Sequence, residues 1–490
     1  MNFFKKITNS ISLFFSKIFL FFDRNIIKKL KERDLLKRIL FTLMLMAIFV
    51  IIGTITLPGI SVTNESGANS NSFFGILNTI GGGGLRQFSL VSLGISPFIT
   101  ASLIMTFAQT KLFPPIHRLY QSGPAGRIKI NYITYSLTFV FAIIQGIVII
   151  QSLLKDSSNT SYIKISIDDK FNNTVFVWIV LPFILVAGTF FSMFISELIT
   201  NKGVGNGSSM LILAGSIISL PSLFSSGWSL WVESKIGAEL FRGLIYFFAF
   251  ILLFIAMVFI ISFIYQAERK IPIQQTGVGR SKNVKDLSYL PIKLNPAGIM
   301  PIIFASMLIT FPMLIVNLIH EVSPSSGTRW MIKYFALTNP LGLTIFASAT
   351  FGITIFLSLQ QSKIDKIVED FNKASTFIPG IRPGEQTEDY LIAIVLRLAV
   401  FSAIYLTILG SSQYVTYILL DHFGKTNFQS VIISGTSIMI ITTVSIETIQ
   451  QIEARKKAQN ILKASKKDQI SNKDFEPSNK NQENSGSVLW

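Results

Sequence analysis

The sequence predicts an all-α integral membrane protein with about ten transmembrane helices, and three observations carry that expectation. Half of the 490 residues are hydrophobic and only 14% are charged, whereas about a quarter of an ordinary soluble chain is charged. Apolar stretches recur near 38–57, 89–108, 130–152, 174–196, 206–224, 243–265, 297–319, 341–361, 391–409 with a continuation to 420, and 429–449. Each is long enough, at about 20 residues, to cross roughly 30 Å of hydrocarbon as a helix. Finally, the Lys and Arg residues concentrate on the N-terminus and on every second connection, the bias that keeps basic loops in the cytosol. Both termini are therefore expected to be cytosolic, and the net charge of +17 reflects topology and anionic lipid rather than nucleic acid.

Residues 1–37 set Lys5, Lys6, Lys17, Arg24, Lys28, Lys29, Lys31, Arg33 and Lys37 among Phe, Leu and Ile. Lys17 interrupts the apolar run and no small-residue cleavage site follows it, which argues against a signal peptide. The segment reads as a basic amphipathic helix on the anionic leaflet; a disordered basic arm is the alternative. The first half of the molecule, 38–224, holds the first five spans. Between the first two, residues from about 58 to 88 include only a short apolar stretch, Ser72 to Ile80, too short to cross a bilayer. Gly81 to Gly84 after it read as a flexible hinge. A half-helix folded back into a cavity and an external loop packed on helix ends both fit this segment. The second span carries Pro97, expected to kink it, with the small residues Thr100, Ala101 and Ser102 following, which permit close approach or separation of helices. The second half, 225–452, holds the remaining five spans and two polar connections, 266–294 and 362–390. Residues 453–490 turn abruptly polar and are expected to form a disordered cytosolic tail.

The chemistry available to such a chain is narrow. It contains no cysteine, so disulfides, thiolate nucleophiles and Cys-ligated metals are excluded. His117, His320 and His422 are far apart and read as solvated loop residues, with no metal site and no cofactor expected. There is no Ser/His/Asp set, no GxxxxGK[ST] phosphate loop and no HExxH, so an enzyme is disfavoured. A polytopic secondary transporter of a small solute is the competing class, because interrupted helices and a five-plus-five inverted repeat suit one. Coupled transporters need ionisable groups near the midplane; here Glu197, Glu447 and Arg397 fall at or near span ends, which favours a passive conduit.

One polar connection contains FIPGIRPGEQT, Phe377 to Thr387. Its two Pro-Gly pairs hold Arg382 on a double turn, since Pro presets one turn position and Gly supplies the φ > 0 position. Further motifs follow one another in order: LGISPFITASL (Leu93–Leu103), GPAGRIKIN (Gly123–Asn131), GVGNG (Gly203–Gly207), ERKIP (Glu268–Pro272), YLPIKLNPAG (Tyr289–Gly298) and SGTS (Ser434–Ser437). On these residues the chain resembles the SecY family of protein-conducting channels, from about residue 36 to 452.

The resemblance implies a central pore between two pseudo-symmetric inverted halves, with a re-entrant plug helix. It implies an aliphatic pore ring of Ile99, Leu103, Ile212, Ile303 and Ile440, which would exclude ions by dewetting yet let unrelated polypeptides slide past. Plug and hinge would comprise Phe73, Phe74, Ile76, Leu77, Ile80, Gly81 and Gly84. A lateral gate to lipid would involve Pro97, Thr100, Ser102, Asn295 and Pro296. Arg269, Lys270, Arg382, Gly384 and Glu385 would form the docking surface for the SecA motor or the ribosome, Arg gripping carboxylates or phosphates bidentately. Further implied partners are SecE and SecG, signal peptides, nascent membrane helices and anionic lipid, in a bacterial plasma membrane more readily than a plastid one. The sequence departs from the family at Thr276 to Gly279, where many members carry basic residues, and at Lys202, where Arg is usual.

Overall fold

A computed structural model describes residues 33–57, 60–62, 81, 83–84, 88–110, 113–154, 163–165, 175–233, 236–275, 288–322, 325–423, 428 and 431–474. The N-terminal extension up to residue 32, the plug residues Phe73, Phe74, Ile76, Leu77 and Ile80, and the tail beyond Asp474 lie outside them. Contacts divide the chain into a main unit, Leu40–Val444, and a second formed from the two ends, up to Ile39 and from Ser445.

The helices are α1 (Arg33–Thr54), α2 (Ser96–Ala108), α3 (Pro114–Gln121), α4 (Pro124–Leu154), α5 (Leu181–Lys202), α6 (Gly207–Trp231), α7 (Ala238–Gln266), α8 (Met300–Val322), α9 (Ser326–Phe335), α10 (Pro340–Ser362), α11 (Ile364–Lys373), α12 (Glu385–His422) and α13 (Gly435–Asp474). A π-helical turn, Phe176–Val180, leads into α5. Eight helices among the described residues are long and apolar enough to cross a membrane. Short antiparallel pairs join distant connections. Strand β1 (Ile60–Val62) pairs with β2 (Ile163–Ile165), β3 (Glu268–Pro272) with β5 (Tyr289–Lys293), and β4 (Gln274–Gln275) with β6 (Thr376–Phe377).

Several expectations need correction. The second span was expected to be helical from residue 89, with Pro97 kinking it; instead residues 88–95 form irregular turns and α2 begins at Ser96 with Pro97 in its first turn. Proline lacks the N–H that a first-turn residue leaves unpaired anyway. Gly94, at φ +51°, sits so close to Gly81 that a side chain would collide with the Gly81 carbonyl oxygen, which keeps the helix from extending backwards. The tail is also not disordered throughout, for α13 continues to Asp474. Its Ala, Lys, Gln, Arg and Leu residues are strong helix formers, a preference that polar composition alone conceals. The histidines are not loop residues: His117 lies in α3 with Nδ1 2.8 Å from the Gln109 carbonyl, His320 in α8 with Nδ1 2.7 Å from Thr328 Oγ1, and His422 ends α12.

The main core gathers Phe49, Ile95, Ile195, Leu211, Ile302 and Phe346 among many others. Helix ends pack by backbone proximity where glycine permits it. A Cβ on Gly207 would lie 1.8 Å from the Ser196 carbonyl oxygen, so α5 and α6 meet there without an intervening side chain, and Asn206 caps α6 by accepting from the Ser208 N–H at 3.2 Å. This accounts for the third glycine of GVGNG; the second, Gly205, adopts φ +91°.

Candidate functional site

Ile99 and Leu103 stand one turn apart on α2, and Ile212, Ile303 and Ile440 come from α6, α8 and α13. All five are between 2% and 7% exposed and join one hydrophobic cluster. The fold thus brings together residues from four helices spread over more than 300 positions of sequence. These five side chains are all aliphatic and offer water no hydrogen bond, though the wider cluster also holds Phe304, Phe346 and Tyr414.

Beside this collar, α2, α4, α8 and α10 meet along a partly polar seam. Thr100 is 4% exposed and Gln145 1%, and the Gln145 side-chain amide donates to Thr100 Oγ1 at 3.2 Å while its oxygen accepts from Ser96 Oγ at 3.3 Å. Across the seam, Met307 Sδ lies 3.6 Å from Thr100 Oγ1. Phe141 of α4 meets Phe311 of α8 edge-on at 5.1 Å, and Phe107 of α2 stacks on Phe356 of α10 at 4.9 Å. Gln360 Nε2 donates to the Thr106 carbonyl at 3.2 Å. Of the residues expected here, Thr100 is central, Pro97 opens α2, and Ser102 and Pro296 are half-buried. Asn295 is tied to α12, accepting from Ser402 Oγ at 2.7 Å and donating to the Gly298 carbonyl at 2.9 Å. Sequence reasoning missed Gln145, Met307, Phe107, Phe356 and Gln360. Gln145 shares its span with Asn131 and Gln151, so the sequence marks a polar residue in the span without singling it out.

The two polar connections form one platform. The β3–β5 hairpin pairs Arg269 with Ile292 and Lys270 with Pro291, and β4–β6 pairs Gln274 with Phe377. Beneath them Ile271, Ile292, Ile364, Val368, Ile378 and Leu391 make a separate small core. Arg269, Lys270 and Arg382 are all exposed. Lys270 Nζ is 3.8 Å from Glu268 Oε1 and 4.6 Å from the Tyr289 ring centre. The double turn is present: Pro379 and Gly380 (φ +85°) bridge a turn closed by the Ile381 N–H on the Ile378 carbonyl at 3.1 Å. Gly384 (φ +102°) then caps α12, accepting from the Thr387 and Glu388 N–H groups at 3.0 and 3.2 Å. Thr387 Oγ1 holds the Arg382 carbonyl at 2.9 Å. Glu385 occupies the first turn of α12, where a carboxylate complements the helix dipole. Gly81 and Gly84, read as a hinge, are closely packed: the Gly84 carbonyl accepts from the Ser89 N–H and Oγ at 3.2 and 3.1 Å.

Membrane-length helices packed around a buried apolar cluster define a polytopic integral membrane protein. The family model named SecY matches residues 89–449, and the chain belongs to the SecY family. It is 37% identical over 448 residues to a protein translocase subunit SecY of Mycoplasma capricolum, covering 89% of this chain and 90% of that one. Among solved structures it resembles one described as a protein conducting channel, with TM-score 0.58 at 16% identity over 86% of this chain and 92% of that one. It also resembles Sec61 in the canine ribosome-channel complex from the endoplasmic reticulum, with TM-score 0.52 at 16% identity over the same shares.

Proposed function

We propose that this chain is the channel subunit of a general secretory translocase, passing unfolded preproteins across the membrane and releasing membrane segments sideways into lipid. The observation that carries the reading is the meeting of Ile99, Leu103, Ile212, Ile303 and Ile440 in one buried cluster. These residues form the pore ring, and the α2/α4–α8/α10 seam forms the lateral gate, with Gly81 and Gly84 beside it at the root of the plug. A signal sequence or nascent helix wedges into the seam and shifts the channel toward open. Moving a population from about 1% to 99% open takes roughly 5.5 kcal/mol of preferential binding. An apolar signal segment can supply that at about 0.8 kcal/mol per buried CH₂, even after ordering costs.

The exposed Arg269, Lys270 and Arg382, with Gly384 and Glu385 shaping the turn, make the docking platform for a SecA motor or a ribosome. A ribosome-bound relative and the cationic platform support the second partner; SecE and SecG complete the assembly. The membrane is a bacterial plasma membrane with both termini cytosolic. The transporter alternative gains no support from the site, where no acidic residue joins the aliphatic cluster among the described residues. The test is translocation in proteoliposomes carrying this chain, a SecE partner and SecA, comparing wild type with Arg382→Glu. Protection of a preprotein dependent on ATP, lost in the variant despite normal membrane insertion, is the expected result. Transport of a small solute with no polypeptide movement would overturn the reading.

A further inference from the structure

Helix α9 is the connection between α8 and α10, packing against both. Those two helices have 23 residues each, about 34 Å at 1.5 Å per residue. Their other ends join the β3–β5 and β6 platform, so α9 lies roughly one hydrocarbon thickness away from it. The helix has ten residues, too few to span. It is fixed at its start by a capping box between Ser325 and Thr328, and Thr328 also bonds His320 of α8.

At helical spacing its side chains divide into three stripes. Thr328, Ile332 and Phe335 are half-buried, whereas Trp330 (51% exposed), Met331 and Tyr334 form an exposed apolar ridge. The Trp330 and Tyr334 rings are 5.3 Å apart. Arg329 and Lys333, four residues apart on one face, are exposed beside them, with Lys333 Nζ 5.6 Å from the Tyr334 ring centre. The helix contains no acidic residue. Aromatic rings with amphipathic character settle at the headgroup level, and a cationic stripe next to an apolar one is the pattern of a helix lying in the membrane plane.

We propose that α9 is an interfacial anchor, seated on the phospholipids of the leaflet opposite the loop platform. Trp330, Met331 and Tyr334 enter the boundary between headgroup and acyl chain, while Arg329 and Lys333 grip headgroup phosphates. The anchor differs from the basic N-terminal extension in sequence. Its cations also explain why a side otherwise poor in Lys and Arg carries two within five residues. It holds the outer ends of α8 and α10 at a fixed depth while their seam with α2 and α4 opens.

The chain's lack of cysteine makes a single nitroxide label unambiguous. The full chain carrying Met331→Cys is labelled and placed in nanodiscs of phosphatidylglycerol and phosphatidylcholine. Oxygen should relax the label more than a water-soluble nickel chelate does, and the label should enhance relaxation of the lipid phosphorus nuclei. Adding Arg329→Gln and Lys333→Gln should weaken the phosphatidylglycerol share of that enhancement by about fivefold per cation. Dominant nickel access would place the helix in water, and exclusion of both reagents would mean that protein covers it. Either outcome, or phosphorus relaxation unchanged by the double substitution, overturns the proposal.

Discussion

At Gly384 a single methyl group separates a held arginine from a loose one. Its φ of +102° is open to glycine almost alone, yet a Cβ there would touch nothing within 4 Å, so Gly384→Ala tests backbone conformation without a clash. The substitution should destabilise the loop by roughly 1–3 kcal/mol and reduce SecA-driven translocation while the membrane-inserted amount stays constant, which quantitative blotting beside the transport assay would read. Unchanged transport would mean that Arg382 need not be held on its turn. The Pro-Gly pairs were legible in the sequence because turn chemistry is local. Of the five aliphatic residues, Ile99 and Leu103 lie inside a motif, whereas Ile212, Ile303 and Ile440 lie a few residues beyond theirs, and their meeting in one buried cluster shows only in three dimensions. Gln145 was not legible, because an amide buried in a span shows its purpose only when Thr100 and Ser96 arrive from another helix.

Elements explain why two connections a hundred residues apart in sequence act as one surface. Two-residue strands such as β4 and β6 have no sequence signal of their own, since neither shows alternation and each exists only through the other. The same lack of a local signal hid the irregular entry to α2, where a proline reads equally as a kink or a start. What holds the platform is the small core below it. Ile378 is 3% exposed and packs with residues of β3, β5, α11 and α12. Ile378→Ala should cost roughly 2–5 kcal/mol locally, and limited proteolysis of the membrane-embedded protein should then cut at the hairpin and at the Arg382 loop together. Cleavage of one loop alone would show that they fold independently.

Across the whole molecule, the proposed closure rests on a collar that excludes water and a seam that can part. Ile440 is 2% exposed within the aliphatic cluster. Ile440→Asn would bury an amide there, costing the closed form roughly 1–3 kcal/mol and shifting the closed-to-open ratio about 5- to 150-fold. Preproteins with weakened signal sequences should then be exported in a vesicle assay; their continued rejection would remove Ile440 from the ring. The seam differs in kind. Thr100 Oγ1 lies 3.1 Å from the Ser96 carbonyl on its own helix, and Thr106 Oγ1 2.8 Å from that of Ser102. If the neighbouring helices withdraw, these two hydroxyls keep an acceptor on their own backbone, so neither is left as an orphaned donor. Under the proposed gating, the bond to be broken is that from Gln360 to the Thr106 carbonyl. The α2 wall could then turn toward lipid and back like a zip whose teeth stay intact, because its threonine hydroxyls carry their partners with them.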